Sequence, residues 1–159
     1  MDVSVETYVE APPAVVWSVV TDIPNAAATI RAIESVEVLE PARGPSIVGL
    51  KWRETRTMFG KRATEVMWVT DAQEGSRYDT RAESHGAVYT TRVTVSPSGT
   101  GTRLAMAFGG KPTSRGAQVV WALTGFLFRR MTRKALQQDL QDIGAAAQAR
   151  ASAGGAAPA

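Results

Sequence analysis

The sequence predicts an α+β domain: a curved antiparallel sheet of about seven strands wrapped around one long C-terminal helix, with two short helices after the first strand. Three observations carry this expectation. The first residues alternate apolar and polar with period two. The middle of the chain is one strand-like segment after another, punctuated by glycine turns. The end of the chain carries apolar residues at helical spacing.

Val3, Val5, Thr7 and Val9 alternate with Ser4, Glu6, Tyr8 and Glu10, the pattern of a half-buried strand. Ala11-Pro12-Pro13 should end it, because proline cannot donate to a ladder and suits the first turn of a helix. Val15, Val16, Val19, Val20 and Ile23 then recur at helical spacing with Trp17 beside them, and Pro24 is expected to close that helix. Asn25 to Ile33 can form a second, alanine-rich helix packed by Ile30 and Ile33. Strands are expected near 35–41, 47–58, 61–71, 76–84, 87–96 and 101–109. Phe59-Gly60, Glu74-Gly75, His85-Gly86 and Ser98-Gly99 supply turns in which glycine takes positive φ cheaply. Consecutive hairpins make an antiparallel meander rather than a parallel βαβ sheet.

After Gly109-Gly110-Lys111-Pro112, where the glycines read as a hinge for the closing helix, Thr113 or Ser114 can cap a long segment. Its stripe is Val119, Leu123, Phe126, Leu136, Leu140, Ile143 and Ala147. Residues 1–150 read as a single domain, with an Ala/Gly-rich tail from 151 to 159 expected to be frayed or disordered.

Composition narrows the function. With 44% hydrophobic and 21% charged residues the chain is that of a globular domain large enough to bury a core. It has no cysteine and one histidine, which removes disulfides, thiolate chemistry and the usual zinc site, so no metal or cofactor is expected. The N-terminus lacks the basic start and apolar run of a signal peptide. The longest apolar run, Val119 to Phe128, is about half the ~20 residues of a membrane span. These features read as a cytoplasmic protein. Net charge is +3, with basic residues spread along the chain, so nucleic acid is not an expected partner; Arg129, Arg130, Arg133 and Lys134 read as a solvated helix face.

A turn at Phe59-Gly60 pairs its flanking strands so that residue numbers sum to 119, placing Trp52 opposite Met67, Leu50 opposite Val69, Glu54 opposite Glu65 and Arg56 opposite Ala63, all on one face. The turn at His85-Gly86 gives a sum of 171 and puts Tyr78, Thr80, Ala82, Tyr89, Thr91 and Val93 together. Asp79 faces Arg92 on the other side. Leu104, Met106 and Phe108 extend the inner face, and Leu123 and Phe126 complete it from the helix. This wall is apolar and aromatic except for Glu54, Glu65 and Arg56. Either Arg56 bridges the two glutamates at the open rim, or the trio anchors a ligand inside a cavity. Glu54, Glu65, Tyr78 and Tyr89 are the candidate acid–base groups. His85 reads as a surface turn residue, and Ser84 beside it does not make a triad with it, since adjacent residues point to opposite faces.

Three stretches carry a family resemblance. They are Val9-Glu10-Ala11-Pro12-Pro13-Ala14-Val15-Val16-Trp17 followed by Val20-Thr21-Asp22; Gly49-Leu50-Lys51-Trp52-Arg53-Glu54-Thr55-Arg56; and Phe128-Arg129-Arg130-Met131 through Leu136 to Leu140. In that order they resemble the START-like (SRPBCC) superfamily with its helix-grip fold, and within it the polyketide cyclase/dehydrase branch. A departure is the absence of the tryptophan-rich segment many relatives carry after the opening Thr-Asp. Here that stretch is Ile23-Pro24-Asn25-Ala26-Ala27-Ala28, so a different cavity mouth is expected. The resemblance implies a hydrophobic cavity between sheet and long helix. Its members include lipid carriers, polyketide aromatases and cyclases, hydrolases and toxin-like proteins, so three readings stay open. One is a module binding a small hydrophobic or aromatic molecule such as a lipid, isoprenoid or polyketide. Another is a cofactor-independent cyclase, aromatase or dehydratase. The third is an interaction protein using Val119–Phe128. Trp121 and Leu127, opposite the main stripe, are expected to line a homodimer contact, a partner or membrane surface, or the cavity mouth.

Overall fold

The computed structural model describes residues 2–113 and 115–155; for Asp2, 115–117 and 119–125 it describes the backbone alone. Strand β1 (Asp2–Val9) leads into α1 (Pro13–Val20), a 3-10 turn (Ile23–Asn25) and α2 (Ala26–Thr29). Then come β2 (Ile33–Glu40), β3 (Lys51–Met58), β4 (Lys61–Gln73), β5 (Arg77–Ser84), β6 (Ala87–Ser98) and β7 (Gly101–Pro112), closed by the 41-residue α3 (Arg115–Gly155). All seven strands form one antiparallel sheet in the order β1-β7-β6-β5-β4-β3-β2. This is the helix-grip architecture.

The register follows the turn arithmetic. Trp52 faces Met67, Glu54 faces Glu65 and Arg56 faces Ala63; Tyr78 faces Val93 and Asp79 faces Arg92. Both turns carry two consecutive positive φ values, Phe59 (55°) with Gly60 (75°) and His85 (50°) with Gly86 (72°), the two-residue geometry whose twist matches paired strands.

Several local expectations need correction. Pro24 does not close α1. That helix ends at Val20, where the Thr21 hydroxyl donates to the Trp17 carbonyl, and Pro24 lies inside the 3-10 turn that buries Ile23. The second helix is four residues long rather than nine, because Ile33 is already paired with Arg56 in the sheet. β3 begins at Lys51. The residues before it turn at Gly49 (φ 85°), whose amide donates to the Val69 carbonyl while the Val69 amide donates to Leu50. A bulge at Thr70 carries β4 on to Gln73 and returns Ala72 to the core side. Gly109 and Gly110 are no hinge. They lie within β7, with Gly109 held between Asp2 and Thr90 and Gly110 opposite Tyr89. Thr113 directs its amide and its hydroxyl to the Gly86 carbonyl, tying the entry to α3 to the β5–β6 turn, and Ser114 lies outside the described residues. α3 continues through Gly155, past the point where the tail was expected to fray.

The core sits between the sheet and the C-terminal half of α3. Leu136, Leu140, Ile143 and Ala147 pack against Val3, Val5, Val9, Leu104 and Met106, with Val16, Trp17, Val19 and Val20 of α1 closing one end. Polar ties fix the layers. Thr102 donates its hydroxyl to the Ala11 carbonyl, Glu10 N–H donates to the Gln148 side chain, and Arg31 grips Asp142 through both its amide and its guanidinium. Gly101 is a steric requirement, since a Cβ there would collide with the Val9 carbonyl oxygen and the Tyr8 hydroxyl. Gly101→Ala should therefore destabilise by about 1–3 kcal/mol. Urea denaturation should show a lower midpoint at unchanged slope.

Candidate functional site

The inner face of the sheet divides into two zones. Toward α1, Leu50, Val69, Tyr78, Val95 and Leu104 are buried in the core. Toward the β3–β4 and β5–β6 turns, Glu65, Met67, Tyr89, Thr91 and Phe108 are only half-buried. Tyr89 and Phe108 stack there with ring centroids 5.7 Å apart and planes 20° from parallel. The first turns of α3 cross this end. The helix starts beside Gly86 and reaches the β3–β4 turn where Phe128 meets Phe59 edge-on at 6.3 Å, a traverse of ~20 Å over the fourteen residues from Arg115 to Phe128. The half-open wall and the first turns of α3 flank the candidate space at this end of the sheet.

A charged cluster borders this space. Arg56, opposite Ala63 on β3, reaches across to α3, where its Nη2 donates to both carboxylate oxygens of Asp139 at 2.8 and 2.7 Å. Its Nη1 lies 3.5 Å from Glu54 Oε1, and the Trp52 indole N–H donates to the other Glu54 oxygen at 3.4 Å. Glu54 and Asp139 are both buried. Burial pushes each carboxyl above its ordinary value, and Arg56 opposes that rise in both. Arg56 Nε and the Thr132 hydroxyl are buried with no hydrogen-bond partner among the described residues. Arg56 thus does not bridge two glutamates. Its second carboxylate is Asp139, and Glu65 stands across the sheet from Glu54. Partial burial, with the Glu65 charge adding to it, holds the Tyr89 phenol above its usual pKa. Sequence reasoning missed Asp139, although its position three residues after Leu136 and four before Ile143 placed it on the buried stripe.

The other selected residues divide as follows. Trp52, Thr80 and Met106 are buried on the inner face, and Tyr78 is buried with its hydroxyl donating to the Val20 carbonyl at 3.0 Å. Burial raises that phenol strongly and Glu54 adds to the rise, so Tyr78 locks α1 to the sheet and keeps its proton. Phe126 is 84% exposed; the side chains of Leu123, Trp121 and Val119 lie outside the described residues. The Ser84 hydroxyl and His85 Nδ1 are in hydrogen-bond contact at the β5–β6 turn, with His85 exposed. A separate solvent-open groove of about 400 Å³ lies along β1, β7 and β6, bordered by Ser4, Glu6, Thr94, Arg133 and Gln137. Met106 is the one residue it shares with the selected wall.

Comparison with known proteins fits this architecture. Residues 1–149 match the family described as "Polyketide cyclase / dehydrase and lipid transport". The chain belongs to that family. Among solved structures, the Zhui aromatase/cyclase from a Streptomyces species superposes with a TM-score of 0.82 at 17% identity, covering 99% of each chain. TTHA0849 from Thermus thermophilus gives 0.77 at 20% identity over 94% of this chain and 99% of that one. A START superfamily protein from Mycobacterium smegmatis gives 0.65 at 17% identity over 96% and 97%. Identities this low speak to fold alone. No curated protein matches the sequence. Among the described residues no helix is long and apolar enough to cross a membrane.

Proposed function

We propose that this member of the polyketide cyclase/dehydrase and lipid-transport family binds a small hydrophobic or aromatic molecule between the first turns of α3 and the half-open inner wall. The observation that supports this most is the stacked Tyr89–Phe108 pair, left partly uncovered on a wall whose other end is fully packed. Flat rings beside Met67 and Thr91 favour a planar or chain-like apolar ligand, and the nearby charged cluster can orient its polar end. A lipid, an isoprenoid and a polyketide all meet this description.

The second reading, a cofactor-independent cyclase or dehydratase, is favoured by one observation. Glu54 is a buried carboxyl raised toward the range useful for proton transfer, with Tyr89 and Glu65 as further acid–base groups on the same wall. Titration with a fluorescent apolar probe and displacement by aromatic or lipid-like competitors tests the site itself. Thr91→Trp should fill the space and weaken the probe at least ten-fold; unchanged affinity would sink the assignment of the wall. Glu54→Gln separates the two readings. A binding protein should keep probe affinity within a few-fold, and no turnover should be lost. A cyclase should still bind but lose roughly 10²–10⁴-fold in rate on a polyketide-like substrate.

A further inference from the structure

Independently of what the cavity holds, the surface where α3 passes the β3–β4 turn has a composition of its own. Phe126 is 84% exposed and Leu127 62%, while Phe59 at the turn tip is 41% exposed. Phe59 and Phe128 are in ring contact, which brings the turn tip against the helix next to Leu127, one residue before Phe128. Phe59 keeps a bulky aromatic ring at a φ of 55°, where asparagine or glycine would cost less. Helical spacing then brings cations onto the same side: Arg129 and Arg130 follow Phe126 by three and four residues, and Arg130 and Lys134 follow Leu127 by three and seven, while Arg133 donates to the Ser4 carbonyl. All four are exposed, as are Lys61 and Arg62 beside the turn. The fifty-five residues from Ser84 to Gln138 contain eight Lys or Arg and no Asp or Glu. The chain's modest net charge conceals this asymmetry.

We infer that this surface docks the protein on an anionic lipid bilayer, with Phe126, Leu127 and Phe59 entering the interface and the α3 cations meeting the headgroups. Its shape and charge favour lipid over other occupants. Side chains this exposed protrude, and a protrusion fits a deformable medium without a matching pocket. A second copy docked through the same surface would oppose cation to cation. Each Lys or Arg near an anionic surface strengthens binding about five-fold, and the apolar tips add to that.

Cosedimentation with vesicles tests the proposal. Equimolar phosphatidylglycerol/phosphatidylcholine vesicles should bind the full chain at low salt, pure phosphatidylcholine far less, and added salt should release it. F126S/L127S and R130Q/K134Q should each lower the partition coefficient about ten-fold or more while leaving the circular dichroism spectrum and apolar-probe affinity unchanged. These side chains lie outside the core, so the fold should tolerate both variants. Absence of binding to anionic vesicles at low salt overturns the inference. So does binding that both variants retain. Self-association in sedimentation that F126S/L127S abolishes, without vesicle binding, would reassign the surface to a second copy; vesicle-negative binding to an acidic protein would reassign it to that partner.

Discussion

Arg56→Met should destabilise the protein by about 3–5 kcal/mol near neutral pH, because it strands two buried carboxylates that now share one guanidinium. The sign of the pH dependence follows from the direction of the shifts. Glu54 and Asp139 have folded pKa values above their ordinary ones, so each favours the fold most below the ordinary carboxylate value, and that contribution is lost as pH rises through the folded value. Without Arg56 both values should climb further. The deficit of Arg56→Met should then be largest at neutral pH and shrink in mild acid as the carboxyls protonate. Asp79 behaves oppositely. Arg92 holds it below its ordinary value, so its contribution is present above that value and fades as pH falls through the folded one. Chemical denaturation across roughly pH 4 to 8, values chosen to bracket the carboxylates, measures this directly. The triple change Glu54→Gln, Arg56→Met, Asp139→Leu should recover most of the loss, since replacing a whole buried ionic group is often neutral. A loss near zero for Arg56→Met would mean that the cluster is hydrated like a surface pair.

Leu140→Ala should cost a similar ~3–5 kcal/mol. Leu140 has no exposed surface and lies on the stripe that joins α3 to β1 and β7. Leu140→Met should cost less than ~1.5 kcal/mol, because it nearly conserves volume. The first turns of α3 continue from this anchored half toward the proposed ligand wall. Leu140→Ala should therefore also weaken apolar-probe binding at temperatures where the protein is still folded. Probe affinity that tracks only the folded fraction would show that the two halves of α3 act separately.

The sheet was legible because its pairing is local arithmetic. Once Phe59-Gly60 and His85-Gly86 are taken as two-residue turns, the facing pairs of those two hairpins follow, including Glu54 with Glu65 and Asp79 with Arg92. The charged site was half legible for the same reason. Arg56 was correctly placed on the inner face beside Glu54, but its partner Asp139 lies 83 residues away on another layer. No spacing rule connects a strand to the helix residue that will cover it; only burial of an acid within an apolar stripe hinted that Asp139 needed a cation. Gly109 and Gly110 misled because glycine's local preference for a break is overridden when strands on both sides supply ladder partners. Pro24 misled in the other direction, since α1 stops a turn earlier than its apolar spacing suggests.

The pairing of β1 with β7 has a consequence for how the molecule forms. Val5 meets Met106 and Val3 meets Phe108, so among the described residues β1 finds its sheet neighbour about a hundred residues later. Contacts this distant in sequence carry a large loop-closure cost and slow folding. On the ribosome, β1 emerges as an alternating apolar segment whose partner β7 follows about ninety residues behind it. The hairpins from β3 to β6 can form in turn as they appear. Of the seven strands described, β1 is made earliest and is among the last to find its place.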